Sequence, residues 1–491
     1  MRPTHAPLIF SVLLSAGTPA AAQRFHDHDR ACHAVHPTLP GVELAHACWP
    51  GENGLLTGRR IPVETLDPET VALREHLANR DLLRGSVPNR IDIVFVGDGY
   101  TASQQALFHS DVDNIVADLF QYEPFITYEP FFRIHRVEVI SNESGVDNDP
   151  TQGILRDTAL DMAFWCGGTE RALCVSVSKA LNHAGAGVST DVDQVVAIAN
   201  TTKYGGVGYP SSNVCTSSGR NSAATQIVIH ELGHSLGNLA DEYTYGGPTT
   251  YTGGELGPAN VSIYSQAQQV SQERKWWRWM GVSNGLFDGP VGTYEGGYYS
   301  EQGVFRPSNN SMMRSLGRRF NLPSAEELIK EFYREVRPIE DATPTDADLA
   351  YNDTLFCAPV QPNGHDLNIQ WEVNGQIVFS ALDQTSLDLS TLGLDPNTEH
   401  TVRVTVVDNT PWVRDPVIRD LFLTETREWT VNACTHPGDF DGNEELNIFD
   451  ILVFIEAYNQ QDPAADFDAN GLFNFFDVAS FITAFNGPCT R

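Results

Sequence analysis

Positive charge is scarce in this chain: 31 Lys and Arg stand against 63 Asp and Glu over 491 residues, a formal charge of −32. No stretch forms the basic stripe needed to neutralise phosphates, which argues against nucleic acid as a partner. Long apolar runs are also missing. Beyond the first 22 residues nothing approaches the roughly 18 apolar residues of a membrane-spanning helix. The eight cysteines include no CxxC pair, so disulfides are favoured over a thiolate metal site, and no GxSxG nominates a serine nucleophile. Material for a core is plentiful, however. A composition of 41% hydrophobic and 10% aromatic residues excludes global disorder, and the length predicts about three domains.

Residues 1–22 read as an export signal. Arg2 precedes the apolar run Pro7–Ser15, and Ala20-Ala21-Ala22 offers a small-residue cleavage site before Gln23. The mature protein is therefore expected outside the cytoplasm, secreted or periplasmic, where disulfides persist. The expected pairs are Cys32–Cys48, Cys166–Cys174 and Cys434–Cys489, each bracketing one local segment.

Residues 23–88 have weak periodicity and read as an N-terminal extension. The pattern then sharpens over 89–338. Arg90–Val96 is a buried-strand run closed by the turn Gly97-Asp98-Gly99-Tyr100, and Thr101–Tyr122 has helical spacing. Arg133–Ile140 and Gln194–Asn200 are further strands, Tyr204–Gly208 reads as a Gly-rich turn, and Ser222–Gly237 returns to helical period. This order predicts an α/β (α+β) domain with a twisted mixed sheet and helices packed on it. Ser324–Val336 reads as a helix opened by a Ser324/Glu327 capping box. Residues 340–347 read as a linker. Alternating segments within 348–432 predict a β-sandwich, and 434–491 form a third, acidic unit.

The strongest chemical signal is His230-Glu231-Leu232-Gly233-His234. Two imidazoles four residues apart on a helix lie one turn above each other and can reach one zinc ion. Glu231 projects beside them, placed to act as general base toward a zinc-activated water and to pass the proton to the leaving amine. A helix with two surface histidines is the plain alternative, but the apolar Ile227-Val228-Ile229 before the motif argues for burial.

The stretch from His230 through Tyr243 resembles the active-site segment of the IgA-peptidase-type metallopeptidases, a metzincin-like branch of the zincins. Supporting marks are Val96–Tyr100, Tyr204-Gly205-Gly206 and Ser311-Met312-Met313-Arg314. The last resembles the methionine turn that floors the zinc site, which implies Met313 as structural support. The resemblance implies a zincin-like fold over residues 88–337, zinc as cofactor and a protein or peptide substrate. The commonest metzincin spacing would put the third ligand at Ala240, which cannot serve. Asp241 is the expected ligand, with Glu242 as the alternative; the unused acid would hold an imidazole or cap the turn. Tyr243 reads equally as a substrate contact or a packed ring. Asp98 reads first as a turn-stabilising carboxylate, and Trp276, Trp277 and Trp279 as core. The Gly205-Gly206 segment reads equally as an ordinary loop or as the lead into an edge strand that pairs with an extended peptide.

The acidic tail carries a repeat offset by 27 residues. Asp439, Asp441, Asn443, Asn447 and Asp450 align with Asp466, Asp468, Asn470, Asn474 and Asp477. These are positions 1, 3, 5, 9 and 12 of a calcium loop. Each loop runs into an apolar helix, Ile451–Tyr458 or Val478–Phe485. The arrangement resembles a dockerin-like module with two structural calcium ions, which implies a cohesin-like or cell-surface protein as a candidate partner. Gly471 supplies the expected turn in the second loop, whereas Glu444 stands in its place in the first.

These features predict a secreted zinc endopeptidase. The rival readings are an extracellular binding protein on a non-catalytic zincin scaffold and a zinc hydrolase of non-peptide amides. A scaffold has no need of Glu231.

Overall fold

The computed structural model of the chain describes residues 42–51, 55–64, 66–77, 89–244, 249–433, 436–443 and 445–487. The export segment 1–22, Cys32, Cys434, Glu444 and Cys489 lie outside the described residues. No helix among the described residues is long and apolar enough to cross a membrane.

One mixed seven-stranded sheet organises the first half of the chain, in the order β2-β1-β6-β7-β5-β3-β4. Its elements are β1 (Val42–Pro50), β2 (Leu56–Glu64), α1 (Pro68–Leu77), β3 (Ile91–Asp98), α2 (Gln105–Leu119), β4 (Phe132–Val137), α3 (Val177–Gly187), β5 (Gln194–Ala199), β6 (Gly206–Tyr209), β7 (Val214–Ser218) and α4 (Ala224–Ser235). Strands β4, β3, β5 and β7 run parallel, and β6 returns antiparallel to β7. Because both faces are covered, β3 is buried at every position and carries the apolar run Ile93–Val96. Ile91, Ile93 and Phe95 meet α2 and α4, while Val94 and Val96 meet α3. Helix α2 begins after a single 3-10 turn, capped by Thr101 and Gln104, and buries Phe108, Val112, Ile115 and Leu119.

Two parts of this sheet differ from expectation. The Gly-rich stretch read as a turn contains strand β6 itself. Its glycines hide the period-two pattern because α4 packs directly on the strand. A Cβ on Gly206 would lie 2.5 Å from Ile227 Cγ2, and one on Gly208 would lie 2.6 Å from Glu231 Oε2. The N-terminal extension is also part of the sheet: β1 and β2 form a hairpin, and β1 pairs with β6 through His46 and Gly208. Ala45, Ala47 and Ile61 on this hairpin are fully buried.

Helix α5 (Gln266–Gln272) and the hairpin of β8 (Tyr294–Gly297) and β9 (Ser300–Arg306) precede helix α6 (Leu322–Glu335). Helix α6 starts two residues before the expected Ser324. Asn321 is its cap, accepting from the Ser324 N–H at 3.0 Å, and Pro323 fits the first turn, where no N–H is needed.

Two small antiparallel sheets then share one core. One contains β10 (Ile339–Ala342), β11 (Thr354–Pro359) and β14 (Ser386–Asp388). The other contains β12 (Asn368–Val373), β13 (Gln376–Ile377), β15 (His400–Val407) and β16 (Thr424–Val431). Trp371 and Trp429 stack in the shared core at 5.8 Å between ring centroids. Strand β10 takes up part of the segment read as a linker, because pairing with β11 satisfies its backbone. Helix α7 (Pro416–Phe422) carries Ile418 and Phe422 onto the core beneath α2 and α6.

In the tail, α8 (Ile448–Gln460) and α9 (Phe475–Phe485) stack Phe454 on Phe481, with centroids 3.9 Å apart. Cys166 and Cys174 are joined. Cys48 is not a disulfide partner as expected; it is a buried free thiol, as are Cys215 and Cys357.

Candidate metal centre

Helix α4 packs against β6, β7 and α2, which buries its whole active face. His230 and His234 stand one turn apart with perpendicular rings. His230 Nδ1 lies 3.0 Å from the Met312 carbonyl, and His234 Nδ1 lies 2.7 Å from that of Leu239. Each Nδ1–H thus donates to a backbone oxygen, which leaves the lone pair on Nε2.

Both Nε2 atoms converge on Asp241. They are 3.1 Å from each other and each is 3.2 Å from Asp241 Oδ1. Three acceptors at this spacing repel unless a cation or proton lies among them. The sides match the roughly 3.3 Å edge of a tetrahedron with metal–nitrogen bonds of about 2.05 Å. Two oxygens here are buried and lack any hydrogen bond, Asp241 Oδ1 and Glu231 Oε2. Buried carboxylate oxygens are rarely left so, and the donor set fits a zinc ion.

The turn after α4 brings Asp241 into place. The Gly237 N–H donates to the Leu232 carbonyl, and Asn238 takes a left-handed conformation with φ 49°. The chain then reverses, setting the Leu239 carbonyl on His234 and Asp241 on the far side of the imidazoles. Glu242 faces the opposite way. It accepts from Ser311 Oγ at 2.7 Å, Asn321 Nδ2 at 2.9 Å and Asn260 Nδ2 at 3.0 Å. Burial pushes its carboxyl up, and these three donors draw it part of the way back.

The Met312-Met313 turn touches the centre twice. Met312 supplies the carbonyl that orients His230, and the Met313 side chain lies against α4 between the two histidines. A Cβ on Gly233 would sit 2.5 Å from Met313 Sδ, so only glycine admits the sulfur here.

Glu231 is wholly buried. Burial raises its pKa, with the His230 and His234 imidazoles opposing. Burial also lowers that of His234, but the Asp241 carboxylate outweighs this and carries it to about 9.

Three neighbours were not foreseen from the sequence: His46, Cys48 and Tyr299. Cys48 Sγ donates to Glu231 Oε1 at 3.0 Å. His46 Nδ1 lies 2.6 Å from the Tyr299 hydroxyl and 3.1 Å from Asp241 Oδ2, and its ring stacks on His234. Tyr299 also donates to Asp241 Oδ2. The available signal was a histidine and a cysteine two residues apart, which share one side of a strand.

The remaining candidate residues lie outside this cluster. Asp98 is buried and accepts from the Leu160 and Met162 N–H groups, stapling the 158–162 loop to the end of β3. Tyr243 is packed beneath β2, its hydroxyl against Gly58. Trp276 and Trp279 belong to a core cluster with Phe287 and Leu322.

In the tail, Asp439, Asp441 and Asp450 come together, as do Asp466, Asp468 and Asp477. Asn447 and Asn474 cap α8 and α9, accepting from the Phe449 and Phe476 N–H groups. Asn443 and Asn470 donate to Asp441 and Asp468 within their loops.

A family model described as IgA Peptidase M64 matches residues 82–287 and 282–332, just over half of the chain. No curated protein matches the chain.

Proposed function

The chain belongs to the IgA Peptidase M64 family and is a metallopeptidase that hydrolyses peptide bonds, and from that premise we propose a secreted zinc endopeptidase. Its zinc ligands are His230, His234 and Asp241, with Glu231 as general base and Met313 as the floor beneath the ligand helix. The observation that carries this reading is the triangle of three acceptors around one point, one of whose corners, Asp241 Oδ1, is a buried carboxylate oxygen without a hydrogen bond.

A zinc ion held there supplies Lewis acidity toward the scissile carbonyl and lowers the pKa of water. The protein's own groups do the rest. The Met312 and Leu239 carbonyls hold both imidazoles in the tautomer that offers Nε2. Glu231, whose pKa burial pushes above its ordinary value, takes a proton from the attacking water and delivers it to the leaving amine. Glu242 buttresses the turn that presents Asp241, through Ser311, Asn260 and Asn321.

The same proposal extends to the rest of the chain. Residues 1–22 direct export. Residues 348–432 form a β-sandwich, and 434–491 a dockerin-like module with two calcium ions on the paired acidic loops. Large apolar side chains exposed on the module, Phe449, Leu452, Phe475 and Phe476 among them, support a cohesin-like or cell-surface protein as its partner.

The test is cleavage of an unfolded protein substrate by the purified chain, beside Glu231→Ala. Cleavage should stop on chelation and fall by about 10²–10⁴-fold in the variant, the usual worth of a positioned base. Cleavage indifferent to both would refute the reading.

A further inference from the structure

The candidate centre is sealed by the chain's own N-terminal strand. Glu231, His230 and Asp241 are 0% exposed and His234 is 1% exposed, although a peptidase must admit a polypeptide to these groups. Strand β1 makes the seal. It pairs antiparallel with β6, the strand against which α4 and Glu231 pack, and so occupies the edge where an extended peptide would add as a further strand. The hairpin containing β1 precedes residue 82, where the family match begins. It therefore lies outside the matched region.

His46 and Cys48, two residues apart, both point from β1 into the centre. Cys48 Sγ, a His230 ring nitrogen and a Glu231 oxygen lie within 4.8 Å of one another. The sulfur is 3.0 Å from Glu231 Oε1. A water activated by Glu231 must lie within hydrogen-bond reach of that carboxylate and beside the histidines, which is the place the sulfur takes. His46 adds a second hold, on the outer oxygen of Asp241 and on Tyr299.

We propose that β1 is a built-in inhibitor and that Cys48 is an additional zinc ligand, closing the position that water needs for catalysis. The inference rests on the zinc-peptidase reading above. On coordination the Cys48 S–H bond breaks, its electron pair goes to the metal, and its proton passes to Glu231, which removes the base as well. Activation then requires β1 to leave the β6 edge.

The test uses the full chain loaded with cobalt(II) for spectroscopy and with zinc for activity. The proteins are the parent, Cys48→Ala and Cys357→Ala, the last removing a buried thiol in the sandwich core. The parent and Cys357→Ala should show a near-ultraviolet sulfur-to-cobalt charge-transfer band that Cys48→Ala lacks. Cys48→Ala should also cleave a peptide substrate about tenfold faster or more, the shift expected when ~1.4 kcal/mol of closure is removed. Cys48→Ser, differing by one atom, serves if the alanine variant does not fold. A parent without the band that cleaves as fast as Cys48→Ala overturns the inference and leaves the peptidase reading standing. A band lost in Cys48→Ala, with neither protein cutting, keeps the thiolate ligand and removes the peptidase reading instead.

Discussion

Asp241 and Glu242 are adjacent acids, and replacing each by its amide separates the ligand from its support. In Asp241→Asn the shape of the side chain is kept and its charge removed. The carbonyl oxygen can still face the imidazoles while the amide nitrogen faces Tyr299 and His46, so the fold should hold. Zinc affinity should not. Loss of a mere outer-shell partner costs about 10–100-fold in metal affinity, and a carboxylate oxygen 3.2 Å from both Nε2 atoms should be worth more. The expected loss is about 100-fold or greater, ~2.7 kcal/mol. In Glu242→Gln the oxygen facing Asn260 and Asn321 is retained, and the new amide group meets Ser311 Oγ, which can turn to accept. Zinc affinity should then stay within about threefold, with ~1–2 kcal/mol lost from stability for a buried charged hydrogen bond. Competition with a chromogenic chelator measures the first quantity and thermal unfolding the second. If Glu242→Gln releases zinc while Asp241→Asn retains it, the assignment of the two acids is reversed and the reasoning from the triangle is wrong.

Gly208→Ala would push Glu231 aside, because the new methyl lies 2.6 Å from Oε2 and needs about 3.4 Å. A displacement approaching 1 Å should lower kcat by about 10–100-fold with zinc content unchanged, which steady-state kinetics and metal analysis would show. Asp408 joins the sandwich to the first core, accepting from Tyr128 at 2.6 Å, Tyr333 at 2.8 Å and His365 at 2.9 Å. Burial pushes its carboxyl up but these partners hold it below its ordinary 3.8, and the bond to Asp408 raises His365 above 6.5 against the opposing effect of burial. The Asp408 contribution is present above pH 3.8 and lost as pH falls through its depressed value. The His365 contribution is full below 6.5 and lost as pH rises through its raised value. Asp408→Asn should therefore cost ~2–3 kcal/mol, with the difference in Tm from the parent largest between about pH 4 and 6.5 and smaller on either side. Removing calcium should unfold the tail separately, because Phe454, Ala465 and Phe481 are a very small core; calorimetry with and without a calcium chelator should show one low-temperature transition move.

Local pattern was enough wherever one residue's neighbours in sequence are also its neighbours in space. The helix carrying His230, Glu231 and His234, the buried run of β3, the alternation of β15 and the paired acidic loops are all of this kind, since a helical or strand period, a continuous apolar run or a 12-residue loop repeated after 27 residues is written along the chain. Strand β6 was hidden because close packing against α4 requires glycine where a strand would otherwise show an apolar side chain. The cap of α6 was misplaced because Asn321 is held by Glu242, 79 residues away. The sequence alone therefore nominated the His230–His234 helix as metal-binding, Glu231 as its base and two adjacent acids as rival ligands. Which acid faces the imidazoles depends on a left-handed turn at Asn238 and on donors from three distant segments. That His46 and Cys48 lie in the same centre was decided only by tertiary structure, because strand pairing brings together residues nearly 200 positions apart, and no periodicity records such a contact.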